Sequence, residues 1–185
     1  MVWWIPSEFW AASFSRSKEM SASQAERFLK VVQPYVIIAA FEGTIGIFGA
    51  VDYKPEERIR ADIRLVDAEG TEYKPRADAE INADLKNLLS IMKPIIANML
   101  GPLGQNLHFF VFPAETEAGA RIIKPTEKGH FQVKLGEKEY KWRLPLDSLL
   151  PGKVCPNCSE ACKGSWSFCP WCGTKLAENP ETHKP

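Results

Sequence analysis

Five cysteines crowd the stretch from position 155 to position 172 of this 185-residue chain. Four of them form two C-x-x-C turns, Cys155-Pro156-Asn157-Cys158 and Cys169-Pro170-Trp171-Cys172. Each turn can present two thiolates from one tight loop, and two facing turns complete the tetrahedron that Zn²⁺ accepts without electronic preference. The proline after each first cysteine presets the turn, and Gly173 permits the positive φ that follows a knuckle. These ligands converge only when the chain folds, so metal binding would supply folding free energy to a module this short. Four thiolates on Zn²⁺ leave a charge of −2, which Lys153, Lys163 and Lys175 are placed to offset. The competing chemistry for paired C-x-x-C turns is thiol redox.

The run Phe168-Cys169-Pro170-Trp171-Cys172-Gly173-Thr174-Lys175-Leu176, with the first knuckle before it, resembles the small zinc-ribbon family. That family includes the double zinc ribbons, with the pattern C-P-x-C-G … F-C-P-x-C-G. The resemblance covers residues 153–176. It implies that Cys155, Cys158, Cys169 and Cys172 are the ligands of a structural zinc, and that Phe168 packs the ribbon's small core. Two positions depart from the pattern. Ser159 stands where the family has glycine, at a cost of about 1 kcal/mol if its φ is positive. Cys162 is an extra thiol, a bystander in the first reading and a substitute ligand in the second. The HFFVF and WRLPL runs of the body, together with FCPWCGTKL, resemble bacterial proteins that end in such a ribbon, and no activity comes with that likeness.

Little else in the chain is arranged for chemistry. There is no H-E-x-x-H, no P-loop and no G-x-S-x-G. His108, His130 and His183 fall in unrelated segments, and a zinc held by four cysteines has no open position for water or substrate. Gly43, Gly46 and Gly49 do not have the dinucleotide-binding spacing. Lys plus Arg equals Asp plus Glu at 23 each, and the signs interleave, as in Arg58-Ile59-Arg60-Ala61-Asp62. No basic patch predicts a nucleic-acid partner. The N-terminus has no basic lead before its apolar residues, and no run reaches the ~18 uncharged apolar residues of a membrane span. Cysteines confined to metal-ligand spacing fit a reducing compartment, so a cytoplasmic location is expected. The expected function is a non-enzymatic zinc-binding scaffold or protein-interaction protein, taking a protein partner or a second copy. Trp166 and Trp171 are its candidate anchors, and a second reading has Trp166 packing on the body to fix the ribbon in place. Three other classes stand beside it: a nucleic-acid-associated ribbon, an enzyme whose site assembles only in three dimensions, and a membrane-surface protein using its Trp-rich N-terminus.

The body, residues 1–150, is expected to be α+β, mainly antiparallel with two inserted helices. The ribbon would span 151–176 and a polar, disordered tail 177–185. Residues 1–20 are aromatic-rich (Trp3, Trp4, Phe9, Trp10, Phe14) without a clean period. A first helix should start at a capping box of Ser23 and Glu26 and stop at Pro34. Strands are expected over 35–40, 44–53 and 58–66 (Ile59, Ala61, Ile63 and Leu65 alternating with charge), the last returning over 71–74 through a hairpin turn at Asp67–Gly70, then over 107–112, with 121–124 a candidate short strand. The 107–112 strand should be central and covered on both faces. A hairpin joins Phe131, Val133 and Leu135 to Tyr140, Trp142 and Leu144. The second helix runs over 84–100, is kinked or split at Pro94, and ends at Gly101-Pro102. Its broad apolar stripe suits burial or a dimer interface. Either a sandwich or one curved sheet fits this order.

Overall fold

The computed structural model describes residues 1–8 and 21–177. The expectations for Phe9, Trp10, Phe14 and the far tail therefore fall outside the described residues. In chain order the elements are β1 (Val2–Trp4), α1 (Ala22–Val32), β2 (Tyr35–Ala40), β3 (Gly43–Ile45) and β4 (Val51–Tyr53). Then follow α2 (Glu56–Asp62), β5 (Ile63–Val66), β6 (Glu72–Tyr73), α3 (Ala83–Met99) and β7 (His108–Pro113). β8 (Gly129–Leu135), β9 (Lys138–Leu144), β10 (Lys153–Val154) and β11 (Ala161–Cys162) complete the chain. The fold is α+β, and every strand pairing is antiparallel.

Two sheets share one core. The first has the order β1-β2-β7 and the second β6-β5-β8-β9. Val36, Ile38, Ala40, Phe110 and Phe112 from the first meet Ile63, Leu65, Phe131, Val133 and Leu135 from the second. Alternate residues of β8 fill this layer while Gln132 and Lys134 point away, the two-residue period of a half-buried strand. Phe131 is stacked on Trp142 at 4.9 Å and meets the edge of Trp4 at 4.7 Å. On the other face of the first sheet, Val32 of α1, Leu85 of α3 and Ile81 in the turn leading into α3 cover Val111. The result is a helix layer, a three-stranded sheet and a four-stranded sheet, so of the two arrangements expected, the sandwich is the one found. β9 is the outer strand of the second sheet and carries Lys138, Glu139, Lys141 and Arg143.

Several local expectations are corrected. The strand expected over 58–66 is instead a helix followed by a strand. Pro55 sits at the N-cap with Glu56 and Glu57 in the first turn, where acidic groups favour the helix dipole. The four-residue step from Ile59 to Ile63 fits both a strand and a helix, and both side chains are fully buried. Three α-helices therefore lie wholly within the described residues, and another begins at residues 7–8, where two in all were expected. β7 is covered on both faces but lies at a sheet edge, where Arg76 N–H donates to Val111 O at 2.7 Å. Residues 44–53 form a hairpin rather than one strand, and Arg121 makes only an isolated bridge to Glu115. The first helix is capped by Ser21 with Gln24, while Glu26 pairs with Lys30 at 2.8 Å. Of the two outcomes expected at Pro94, the split is not found: α3 is a single helix with Pro94 inside it.

The hairpin at 131–144 and the Asp67–Gly70 turn are found as expected. Asp67 Oδ1 accepts from Glu69 N and Thr71 N, and Tyr73 OH donates to Oδ2 at 2.8 Å. Burial and the Asp67 carboxylate beside it raise the Tyr73 pKa.

Beyond α3, a 3₁₀ turn (Gly101–Asn106) folds back on the helix. A Cβ at Gly104 would run into the backbone of Ala97. Gly104→Ala should therefore destabilise the body by about 1–3 kcal/mol, the range for overpacking. The check is a lower urea midpoint at unchanged m-value.

Candidate metal centre

β10 and β11 pair as Lys153↔Cys162 and Val154↔Ala161, which sets Cys155 at the start of the first knuckle. In that knuckle Ser159 N donates to Cys155 O at 3.0 Å and Cys155 N to Glu160 O at 3.0 Å. The second knuckle repeats the pattern: Gly173 N donates to Cys169 O at 2.9 Å and Cys169 N to Thr174 O at 2.8 Å. The equivalent residues Ser159 and Gly173 both have positive φ, 59° and 73°. One backbone device is thus built twice, with a serine bearing the strain that a glycine avoids.

The two knuckles face each other. Cys155 Sγ lies 3.5 Å from Cys172 Sγ, and Cys158 Sγ lies 3.6 Å from Cys169 Sγ. All four sulfurs fall within 4.8 Å of one another. A tetrahedron with metal–sulfur bonds of about 2.3 Å has edges of roughly 3.8 Å. The sulfur spacings bracket that edge, so the set suits a tetrahedral ion. Among the described residues this is the only group with such geometry. Cys162 is outside it: buried, with its thiol donating to Glu160 O at 3.6 Å.

The thiols differ in acidity. Cys172 is held down to about 6 by its hydrogen bond to the Thr174 hydroxyl (3.2 Å) and by one to the Thr174 backbone. Cys158 has a backbone bond at Glu160 pulling it down. Loss of solvent and the sulfurs of Cys155, Cys172 and Cys169 outweigh that bond and push it up to about 12. At Cys169 burial opposes ionisation, yet backbone bonds at Trp171 and Cys172 hold the thiol below its ordinary value. Burial, with Cys169 beside it, raises Cys162.

Around the sulfurs the module has its own small core of Cys155, Cys162, Cys169 and Leu176, with Trp166 packed against it. Phe168 does not pack there; it is 60% exposed. Phe168 bridges Lys175, so these two side chains share the outer face, and Leu176, the next residue, takes the inner one. Trp171 is 67% exposed. Lys153 Nζ donates to Trp166 O at 2.8 Å and Lys163 lies over the Trp166 ring at 5.8 Å.

Sequence reasoning missed the latch that seats the module. Residues 145–153 look like a plain linker, but Asp147 Oδ1 accepts from Ser165 N (3.2 Å) and Ser165 Oγ (2.8 Å). Gly164 passes so close to Leu150 and Pro151 that a Cβ there would meet Leu150 Cβ at 2.6 Å. Leu146 packs against the body core, and its N–H donates to Pro125 O at 2.7 Å. Nothing in the sequence distinguishes Asp147 from any surface aspartate, because its partner is eighteen residues away.

The histidines are not brought together. His108 Nδ1 bonds Glu56 Oε2 at 2.9 Å, and Glu56 Oε1 also pairs with Arg60 at 3.1 Å, tying α2 to β7. The Glu56 carboxyl stays below its usual range: burial opposes this, but Arg60 and His108 outweigh it. His130 is exposed on β8, and His183 lies outside the described residues.

Comparison with protein-family models, curated proteins and solved structures finds no match. The likeness to a zinc ribbon therefore rests on the cysteine cluster itself. Among the described residues, no helix is long and apolar enough to cross a membrane.

Two outcomes follow from this geometry. Ser159→Gly should stabilise the metal-loaded module by about 1 kcal/mol by relieving the left-handed backbone, seen as slower metal transfer to a chelator. A metal competes with protons for these sulfurs. At neutral pH the Cys158 proton must still leave, and below about 6 the Cys172 proton must leave as well. Apparent affinity should fall as pH falls, and more steeply below about 6, in competition with a chromophoric chelator.

Proposed function

We propose that residues 151–176 form a zinc ribbon in which Cys155, Cys158, Cys169 and Cys172 hold one structural Zn²⁺. In this reading the chain is a non-enzymatic scaffold or protein-interaction protein of a reducing, cytoplasmic compartment. The observation that carries it is the set of four sulfurs within 4.8 Å of one another. Borderline-soft Zn²⁺ favours such an all-thiolate tetrahedron, and a bound ion of this kind joins the two knuckles into one unit. Four protein ligands fill its coordination shell, which supports a structural role over a catalytic one.

The surface of the module supports docking. Trp171 and Phe168 hold large apolar area in water beside the cluster, and aromatic anchors of this type dominate protein interfaces. Lys153 and Lys163 are turned to Trp166 and Asp147. That leaves few free cations to follow a phosphate backbone and disfavours nucleic acid.

Native mass spectrometry of the full chain, purified under reducing conditions, should give one zinc per chain. A metal-free chain with Cys155 and Cys172 joined as a disulfide would overturn the reading. Cys169→Ser should lose the metal and collapse the amide spectrum of the ribbon while leaving the signals of the body in place. A body that unfolds with it would mean that the zinc serves the whole chain and not one module.

A further inference from the structure

The exposed apolar side chains of the body gather at one end of the first sheet. In the β2–β7 register Ala40 lies opposite His108, so the exit from β2 and the entry to β7 share that end. The exit leads into the β3–β4 hairpin, and the entry comes from the C-terminal end of α3 through the 3₁₀ turn. Phe41 joins the two. It packs in one cluster with Ile96, Leu100 and Leu107, and its ring meets Tyr53 of the hairpin at 6.0 Å. At the hairpin tip Ile47 and Phe48 are 93% and 94% exposed. On α3, Ile91, Ile95 and Met99 recur every four residues on an exposed stripe that Leu103 extends.

The apolar segments at this end carry few charges of their own. Residues 43–51 contain no ionisable group, and between Lys86 and Glu115 the only ones are Lys93 and His108. A quarter of the chain is charged, so this scarcity belongs to these segments and not to the protein. The base of the hairpin is fixed: Glu42, largely buried, pairs with Lys54 at 2.7 Å and with Lys138 at 3.0 Å. The tip is therefore a projecting apolar ridge on an anchored stem, and Phe41 at the foot of that stem packs against the C-terminal part of α3.

We infer that this end is the interface of a two-fold dimer, with the hairpin tip of each copy lying on the α3 stripe of the other. Three arguments select a second copy. A two-fold interface sets a surface against itself, which a patch poor in charge tolerates and a charged one does not. A ridge and a flat apolar face on one chain are complementary to their own rotated image, since each copy supplies what the other lacks. The stripe alone, roughly 18 Å long and about 10 Å wide, is too small for the ~800 Å² that each partner contributes to a stable interface. The hairpin is needed to reach it. A lipid surface fits less well, because proteins that lie on membranes surround their apolar residues with free lysine or arginine, and here Lys54 and Lys138 are both paired with Glu42. The inference is independent of the metal reading, since none of these residues belongs to the ribbon.

The test is sedimentation velocity of the full chain over a wide concentration range. A monomer–dimer equilibrium is expected. Ile47→Asp/Phe48→Asp, at two side chains held almost wholly in water, should leave the circular dichroism unchanged and weaken the dimer by roughly thirty-fold or more, the effect of losing interface anchors. Met99→Asp, on the opposite half of the contact, should do the same. With the photoreactive residue benzoylphenylalanine in place of Phe48, cross-linking should capture a peptide from residues 91–103 of another copy. A chain that stays monomeric at the highest concentration would overturn the inference, as would a dimer indifferent to both substitutions. A monomer that pellets with phosphatidylcholine vesicles, and ceases to when Ile47 and Phe48 are replaced, would assign the surface to lipid instead.

Discussion

The body is centred on one cluster of three aromatic rings. Phe131 lies between Trp4 of the first sheet and Trp142 of its own, edge-on to the one and stacked on the other. The three rings span the layer where the two sheets meet, and Trp4 belongs to a strand of only three residues. So short a strand gains little from its own pairing; the ring it delivers to the core holds it on β2. The β1–β2 pairing sets the N-terminus against Phe41, with Met1 N donating to Phe41 O at 2.8 Å. The order at that end of the sheet follows from it.

Segments whose residues meet near neighbours were legible before any coordinates. The 131–144 hairpin, the Asp67–Gly70 turn and the long helix ending at Gly101 rest on local periodicity and turn chemistry, and all are present. The cysteine cluster was legible for the same reason, because each knuckle is a local turn and its spacing already states the ligand set. Errors arose where two periods coincide or where the partner is remote. Ile59 and Ile63 satisfy a strand and a helix equally, and Pro55-Glu56-Glu57, a helix start, should have decided between them. The edge position of β7 depends on which strand pairs with β2, and no local signal carries that. Likeness to other ribbons implies an inward Phe168, whereas its bridge to Lys175 turns it outward.

The ribbon and the body meet chiefly through polar and backbone groups. Asp147 caps the Ser165 turn, and Gly164 lies against Leu150 and Pro151. The hydrophobic cluster of the ribbon contains only its own residues, while that of the body stops at Leu146. The two cores are built from different materials, mainly cysteine sulfur with Leu176 and Trp166 against a larger set of aromatic and aliphatic side chains. A short strap sets the orientation of one on the other.

The charged outer strand β9 has a consequence for how this protein can associate. An open sheet edge offers unpaired backbone groups to any passing strand, and lysines and glutamates along it discourage that pairing. With Lys138, Glu139, Lys141 and Arg143 along β9, strand addition at this margin is resisted, and the opposite margin, β6, is only two residues long. The second sheet therefore does not invite runaway growth through its backbone. Contacts it makes at its surface must be read by side-chain shape, which is the condition for an assembly that closes instead of becoming a fibre.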